Sequence, residues 1–401
     1  MFYGEKLQQL RELEGLSRKD LSEKLNVSEQ TVGQYENNQI TPRLDILYKI
    51  NDLFQVDTEY LMTPSFLKER VISESNVAYR AKDKNSRKKT KLELMYITFA
   101  DFFISYFGSF VKLEQDNFDK LKKASDMQKC KVKDTSTRIS KIAIFTRRFI
   151  RLNNNRDLMF SLESLGINIL EKNLGREIDA YSGYTRSGKP YIVLGTIRKS
   201  AVRRNFDLAH ELGHLLLHDD QDMTILNEKE MRELDKQADT FASQFLLPEK
   251  ELRDDFQNIS KPSNPDSYIE LKKKYFTSIV ALEYQAYKIK LLSTQQNRYF
   301  WAQMTKKGYR SNEPLDDVIP PIKPGKVKAV LEFLLDKNII NVYDLTDTFH
   351  IKLDFLIRLF DLKSNFFDKY LKDSSNDLNK LSNIIDFNLV RKNLKLKNDL
   401  A

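Results

Sequence analysis

Three of the four histidines in this 401-residue chain stand at positions 210, 214 and 218. The run Ala209-His210-Glu211-Leu212-Gly213-His214 contains H-E-x-x-H, and a four-residue step puts both imidazoles on one face of a helix. Two imidazoles from adjacent turns can share one Zn²⁺, and Glu211 beside them can act on a water at that metal. Catalytic zinc needs a third protein ligand and an open fourth position. His218 suits that role poorly, because eight residues along an intact helix is about 12 Å. Leu215-Leu216-Leu217 contains no glycine break that would fold it back. Its expected role is structural or on the substrate side. A second segment, Asp235-Lys236-Gln237-Ala238-Asp239, places two carboxylates four apart. The first could reach the metal while the second orients a ligand histidine. Glu233 would point roughly 200° around the same helix. The expected set is therefore one zinc per chain on His210, His214 and Asp235, with Glu211 as the catalytic carboxylate and Asp239 behind a histidine.

These residues need two helices that meet. The apolar and polar spacing predicts one from about Lys199 to His218 and another from about Glu228 to Phe245, stopped by Pro248. Leu212, Leu215, Leu216 and Leu217 would bury the remaining faces of the first. Upstream, Ile167–Leu170 is a short β-like run. Ala180–Tyr184 and Tyr191–Leu194 flank the turn Arg186-Ser187-Gly188-Lys189-Pro190 and read as a hairpin. Helices return over 266–292, and Pro320, Pro321 and Pro324 mark a boundary before a helical C-terminal portion. Leu94–Val111 is rich in aromatics and just long enough to suggest a membrane span. Asp101 near its middle, and apolar residues at three- and four-residue steps, make it an amphipathic helix instead.

The first 64 residues read as five short helices. Leu7, Leu10 and Leu13 stripe the first, and Gly15 stops it. Ser17 caps the second, Asn26-Val27 turns, and Ser28 caps a third through about Glu36. A fourth carries Leu44, Leu47, Ile50 and Leu53, and a short fifth runs from Asp57 to Leu61. The fold class expected is mainly α with a small β-sheet. Its parts are a five-helix unit over 1–64, a basic linker and aromatic-rich helical region over 65–151, the H-E-x-x-H domain over 152–312, and a helical region over 313–401.

Charge is unevenly spread. The chain carries a net +9, yet Met1–Ser65 holds seven basic against eleven acidic residues, a net of −4. Basicity begins with Arg80, Lys82, Lys84, Arg87, Lys88, Lys89 and Lys91, a solvated linker or a phosphate-contacting arm. A single cysteine, Cys130, excludes a disulfide framework and a cysteine-rich zinc module. Glu5, Lys6, Arg11, Glu12 and Glu14 interrupt the first 16 residues, so no secretory leader is expected and the expected location is cytoplasmic.

Two resemblances follow from these motifs. Residues 6 to 62 resemble the XRE (lambdoid repressor and Cro) family through L-x-x-L-R at Leu7–Arg11, L-S-R-K-D-L-S at Leu16–Ser22 and V-S-E-Q-T-V-G-Q-Y-E-N at Val27–Asn37. That resemblance implies a double-stranded DNA operator, with the third helix in the major groove. Glu29, Gln30 and Gln34 would then read base edges, and Arg18, Ser28, Thr31, Asn37 and Arg43 would meet phosphates. The runs R-R-N-F-D-L-A-H-E-L-G-H-L-L-L-H at Arg203–His218 and L-D-K-Q-A-D-T-F-A-S-Q-F-L-L-P at Leu234–Pro248 resemble the ImmA/IrrE metallopeptidases over about residues 152 to 312. This implies zinc on His210, His214 and Asp235, with Glu211 as general base and then general acid in peptide hydrolysis. Asp235 stands where that family usually has Glu, one methylene longer, so the two helices must approach more closely. Tyr184, Arg186 and Tyr275 are oxyanion candidates by residue type.

Together they imply a DNA-binding regulator with a zinc endopeptidase domain acting on a repressor-type protein, in stress response or mobile-element control, and able to form a homodimer on a palindromic operator. Its rivals are a transcription factor whose peptidase-like domain senses a metal or ligand without cleaving, and an antitoxin-like interaction module.

Overall fold

The computed structural model describes residues 1–67, 70–72, 77–78, 84–111, 116–175, 178–197, 200–222 and 225–374, with backbone alone at 77–78, 84–93, 116 and 372–374. The side chains of the basic block at 80–91 lie outside the described residues, as do residues 375–401.

Five helices open the chain: α1 (Gly4–Leu13), α2 (Arg18–Leu25), α3 (Glu29–Glu36), α4 (Leu44–Phe54) and α5 (Thr58–Met62). Side-chain caps set the starts of α2 and α3. The Ser17 hydroxyl accepts from the Asp20 amide while the Asp20 carboxylate accepts from the Ser17 amide, which satisfies two orphan donors at once. Ser28 Oγ accepts from the Thr31 amide at the head of α3. Between them Asn26 takes the left-handed conformation at φ 57°, the turn that lets α3 cross α2. Leu7, Leu10, Leu21, Val32 and Ile50 are buried at the centre. Glu36, buried on α3, takes Arg11 at 2.5 Å and Arg18 at 2.7 Å, tying three helices together.

After β1 (Val77–Ala78) comes α6 (Lys84–Gly108), with Phe99, Phe103 and Phe107 fully buried. Asp101 receives Lys189 Nζ at 2.9 Å and the Tyr191 hydroxyl at 2.8 Å, so this helix packs on the protein through its acidic residue as well as its rings. No helix among the described residues is long and apolar enough to cross a membrane. Then follow α7 (Asp116–Lys131), α8 (Thr135–Phe149), α9 (Leu158–Leu165), β2 (Asn168–Lys172), β3 (Ala180–Tyr184) and β4 (Pro190–Gly195). The sheet order is β1-β3-β4-β2, antiparallel at β1–β3 and β3–β4 and parallel at β2–β4.

The sheet divides two cores by the two-residue period of its strands. Leu170, Tyr181, Tyr191 and Val193 join a cluster with α1–α6. Ile169, Ala180, Ile192 and Leu194 face the opposite cluster, built on α8, α9 and the helices after the sheet. These are α10 (Ala201–Leu217), α11 (Glu228–Leu246), α12 (Glu249–Phe256), α13 (Ile269–Tyr275), α14 (Ile279–Lys288) and α15 (Thr294–Lys306).

The chain ends in α16 (Lys326–Asp336), α17 (Val342–Phe349), α18 (Leu353–Leu359) and α19 (Asp368–Ser374). Read from sequence as a region of its own, these helices share the first core with α1–α6. Val56 and Ile351 form an isolated β-bridge, the Asp57 amide donates to the His350 carbonyl at 2.9 Å, and the Lys352 amide donates to the Gln55 carbonyl at 2.9 Å.

Candidate metal centre

Two helices carry the site. In α10 every residue from Leu208 to Leu216 is buried, so its imidazoles are held by a packed core rather than by a loop. Asn227 and Glu230 cap α11 reciprocally, which fixes where its first turn begins and hence where Asp235 lies. The helices meet at Gly213, inside the H-E-x-x-H run. A Cβ there would lie 3.1 Å from Phe241 Cδ1 and 3.3 Å from Ala238 Cα. Any side chain there would push α11 back by a few tenths of an ångström, so the glycine favours the close approach that brings the short Asp235 side chain within reach of the histidines.

His210 Nε2 and His214 Nε2 lie 3.1 Å apart. Asp235 Oδ1 is 3.5 Å from the second and 4.0 Å from the first. Donors at the corners of a tetrahedron around zinc, with bonds of about 2.0–2.1 Å, are separated by about 3.3 Å. The outer hydrogen bonds sharpen this fit. His210 Nδ1 is 2.8 Å from Asp239 Oδ1, and a carboxylate there draws the imidazole proton to Nδ1. Its Nε2 then presents a lone pair. His214 Nδ1 faces His218 Nδ1 at 3.0 Å, and His218 Nε2 faces Gln237 Oε1 at 3.3 Å. Two lone pairs and a carboxylate oxygen aimed at one point repel one another unless a cation stands between them. The residues present fit a zinc ion. Burial first, and His214 beside it next, lower the pKa of His218 to about 3, so it is neutral at ordinary pH.

Glu211 is buried at the end of the third turn of α10, next to His210. Ser182 on β3 donates its hydroxyl to Glu211 Oε2 at 2.7 Å, which fixes the rotamer of that carboxylate. The imidazoles are buried, whereas the side chains of Asp235 and Asp239 are 31% and 40% exposed, so the site opens on the α11 side. A cleft of about 370 Å³ adjoins it there, lined by Phe206, Asp207, Asp239, Tyr284 and Trp301 among others. Its volume is within the range of ligand-binding clefts.

At the other end, Glu29 and Gln30 are exposed and Gln34 is half-buried on α3, while Val32, Tyr35 and Glu36 turn inward. Asn37 and Arg43 are exposed just beyond it. Ser28 and Thr31 bond one another at the head of α3, Oγ to Oγ1 at 2.8 Å. Arg18 is partly committed, since its Nε donates to Glu36.

Comparison with known proteins matches two parts of the chain. A peptidase M78 family model, described as an IrrE N-terminal-like domain, matches residues 162–287. A helix-turn-helix family model matches residues 7–61. The chain joins a helix-turn-helix domain to an IrrE-like domain of the M78 peptidases. It is also similar to the HTH-type transcriptional regulator ImmR of Bacillus subtilis (strain 168), at 34% identity over 62 residues. That match covers 16% of this chain and 49% of the relative.

Three groups in the IrrE-like domain escape sequence reasoning. Ser182 gives no local signal, since only the fold brings β3 under Glu211. Gly213 is visible as a glycine, but its purpose lies in the helix that crosses it. His218, set aside as a ligand by distance, sits instead behind His214. Of the oxyanion candidates, Tyr184 donates its hydroxyl to the Leu215 carbonyl at 2.6 Å and Tyr275 donates to Asp255 at 2.6 Å. The first ties β3 to α10 and the second ties α13 to α12. The Arg186 amide donates to Val71.

Proposed function

We propose that this protein is a DNA-binding transcriptional regulator whose IrrE-like domain is a zinc-dependent endopeptidase, acting in the cytoplasm on a repressor-type protein. The convergence of His210 Nε2, His214 Nε2 and Asp235 Oδ1, all within 4.8 Å of one another and beside Glu211, is the observation that carries this reading. A bound zinc supplies Lewis acidity toward the scissile carbonyl and a nucleophile at neutral pH. Glu211, oriented by Ser182, takes the proton from the attacking water and delivers it to the leaving amine. Asp239 keeps His210 in the tautomer that leaves its Nε2 lone pair for the metal. The cleft beside Asp239 receives a substrate side chain and positions the peptide across the site.

The helix-turn-helix domain supplies the second half of the function. Glu29, Gln30 and Gln34 lie on the outer side of α3, where base edges would be met, and Asn37 and Arg43 flank it toward the phosphates. One relative is by name an HTH-type transcriptional regulator. A palindromic operator would take two copies.

The test is co-expression of the wild type and of Glu211→Gln with DNA-binding repressors encoded beside it, read by mass spectrometry. A repressor fragment with the wild type alone is the expected result. Identical fragments with both forms, or none with any neighbour while zinc is bound, would overturn the peptidase half.

A further inference from the structure

We infer that His218 and Gln237 are positioning residues that set the protonation of His214, and through it the affinity of the site for its metal. The inference rests on the metal site proposed above but makes its own claim about the metal-free chain. His214 can offer its Nε2 lone pair only if its proton sits on Nδ1. What faces that Nδ1, at 3.0 Å, is His218 Nδ1. Two imidazole nitrogens at that separation share one proton, so one of them must be an acceptor. Gln237 decides which. Its Oε1 accepts only, and lies 3.3 Å from His218 Nε2, so the His218 proton sits on Nε2 and its Nδ1 is the acceptor. His214 must therefore donate from Nδ1, and its Nε2 turns to the metal side, where it meets His210 Nε2 at 3.1 Å.

The two ligand histidines are thus oriented by different means. His210 is held by a carboxylate, Asp239, and His214 by a neutral relay that begins on α11 and ends on α10. The relay adds no negative charge next to Asp235 and Asp239. Burial of His218, which is 4% exposed, keeps water from replacing it as the acceptor. Gln237 belongs to the same helix as Asp235, so the helix that offers the third ligand also fixes the second.

The chain has four histidines, which makes the experiment tractable. In ¹⁵N-histidine-labelled, metal-free protein, long-range ¹H–¹⁵N spectra should show His214 protonated on Nδ1 and His218 on Nε2. A His214 proton on Nε2 would overturn the inference, whether or not the chain proves to be a peptidase. Zinc affinity, measured by competition with a chromophoric chelator, gives the second readout. His218→Leu should weaken zinc about 10–100-fold. His218→Asn, whose amide oxygen can take the place of the accepting nitrogen, should restore most of that loss. Gln237→Leu, on the half-buried face of α11, serves if the His218 variants do not fold, and should release the His218 tautomer and weaken zinc in the same direction. Wild-type affinity in the leucine variants, or an Asn variant as weak as Leu, would overturn it. A wild type that binds no zinc at all would remove the proposed function and leave the tautomer result standing by itself.

Discussion

Gly213→Ala tests whether helix approach is what makes a short acid sufficient. The added methyl would lie 3.1 Å from Phe241 Cδ1 and 3.3 Å from both Phe241 Cβ and Ala238 Cα. Carbon atoms pack best at about 3.5–4.0 Å, so α11 must retreat by several tenths of an ångström. A backbone atom is among the neighbours, and a ring rotation alone cannot absorb the shift. Asp235 is three residues before Ala238 and would move with it, from oxygen–nitrogen distances of 3.5 and 4.0 Å that already meet or exceed a tetrahedral edge. Stability should change little, because alanine gains about 1 kcal/mol in a helix against an overpacking cost of about 1–3 kcal/mol. Zinc affinity should fall about 10–100-fold, since ligands must be held to within about 0.5 Å. Asp235→Glu adds about 1.5 Å of reach, so the double variant should recover most of the loss. Isothermal titration with zinc and thermal unfolding, run on all four forms of this cycle, separate the two effects. Unchanged affinity in Gly213→Ala, or no recovery in the double variant, would refute the reasoning.

Other consequences follow from the same geometry. Ser182→Ala removes the donor to Glu211 and should slow hydrolysis of a substrate once identified by about 10-fold or more, while zinc binding stays within about 2-fold; equal loss of both would mean that Ser182 holds the fold rather than the carboxylate. Burial pushes Glu283 up to about 7 from an ordinary 4.5. The folded chain then holds a proton that the unfolded chain has released, so stability is greatest below about pH 4.5 and falls as pH rises through 7, by up to about 3 kcal/mol. Glu283→Gln should flatten that segment of a chemical-denaturation pH profile, and an unchanged slope would contradict it. Gln30→Ala with Gln34→Ala should cost operator affinity about 1–3 kcal/mol per lost base contact and leave binding to random DNA unchanged; equal losses on both would move the reading face elsewhere.

Much of the site was legible because its signals are local. A four-residue step places His210 and His214 on one face, another places Asp235 and Asp239, and small polar residues at 17 and 28 announce helix starts. The hairpin between Ala180 and Gly195 was marked by its turn. What the sequence hid is what distant segments do to each other. The parallel pairing of Leu170 with Val193, the two-residue strand at Val77, and the donation from Ser182 to Glu211 all depend on chain crossings that no short window records. Between Phe66 and Arg151, α7 and α8 were not separable by pattern, since lysines and arginines interrupt their apolar stripes. The C-terminal helices read as a separate region because prolines precede them, yet Ile351 bridges to Val56 beside α4 and Phe355 packs on Phe99 and Phe103 of α6 within one core.

Metal analysis of the purified full chain tests the central claim most directly. Protein stripped with a chelator, reloaded with zinc and freed of excess should contain about one zinc per chain by mass spectrometry, and His214→Ala and Asp235→Ala should each abolish or sharply reduce it. A wild type that takes up no zinc, or a His214→Ala variant that still holds a full equivalent, would contradict the account.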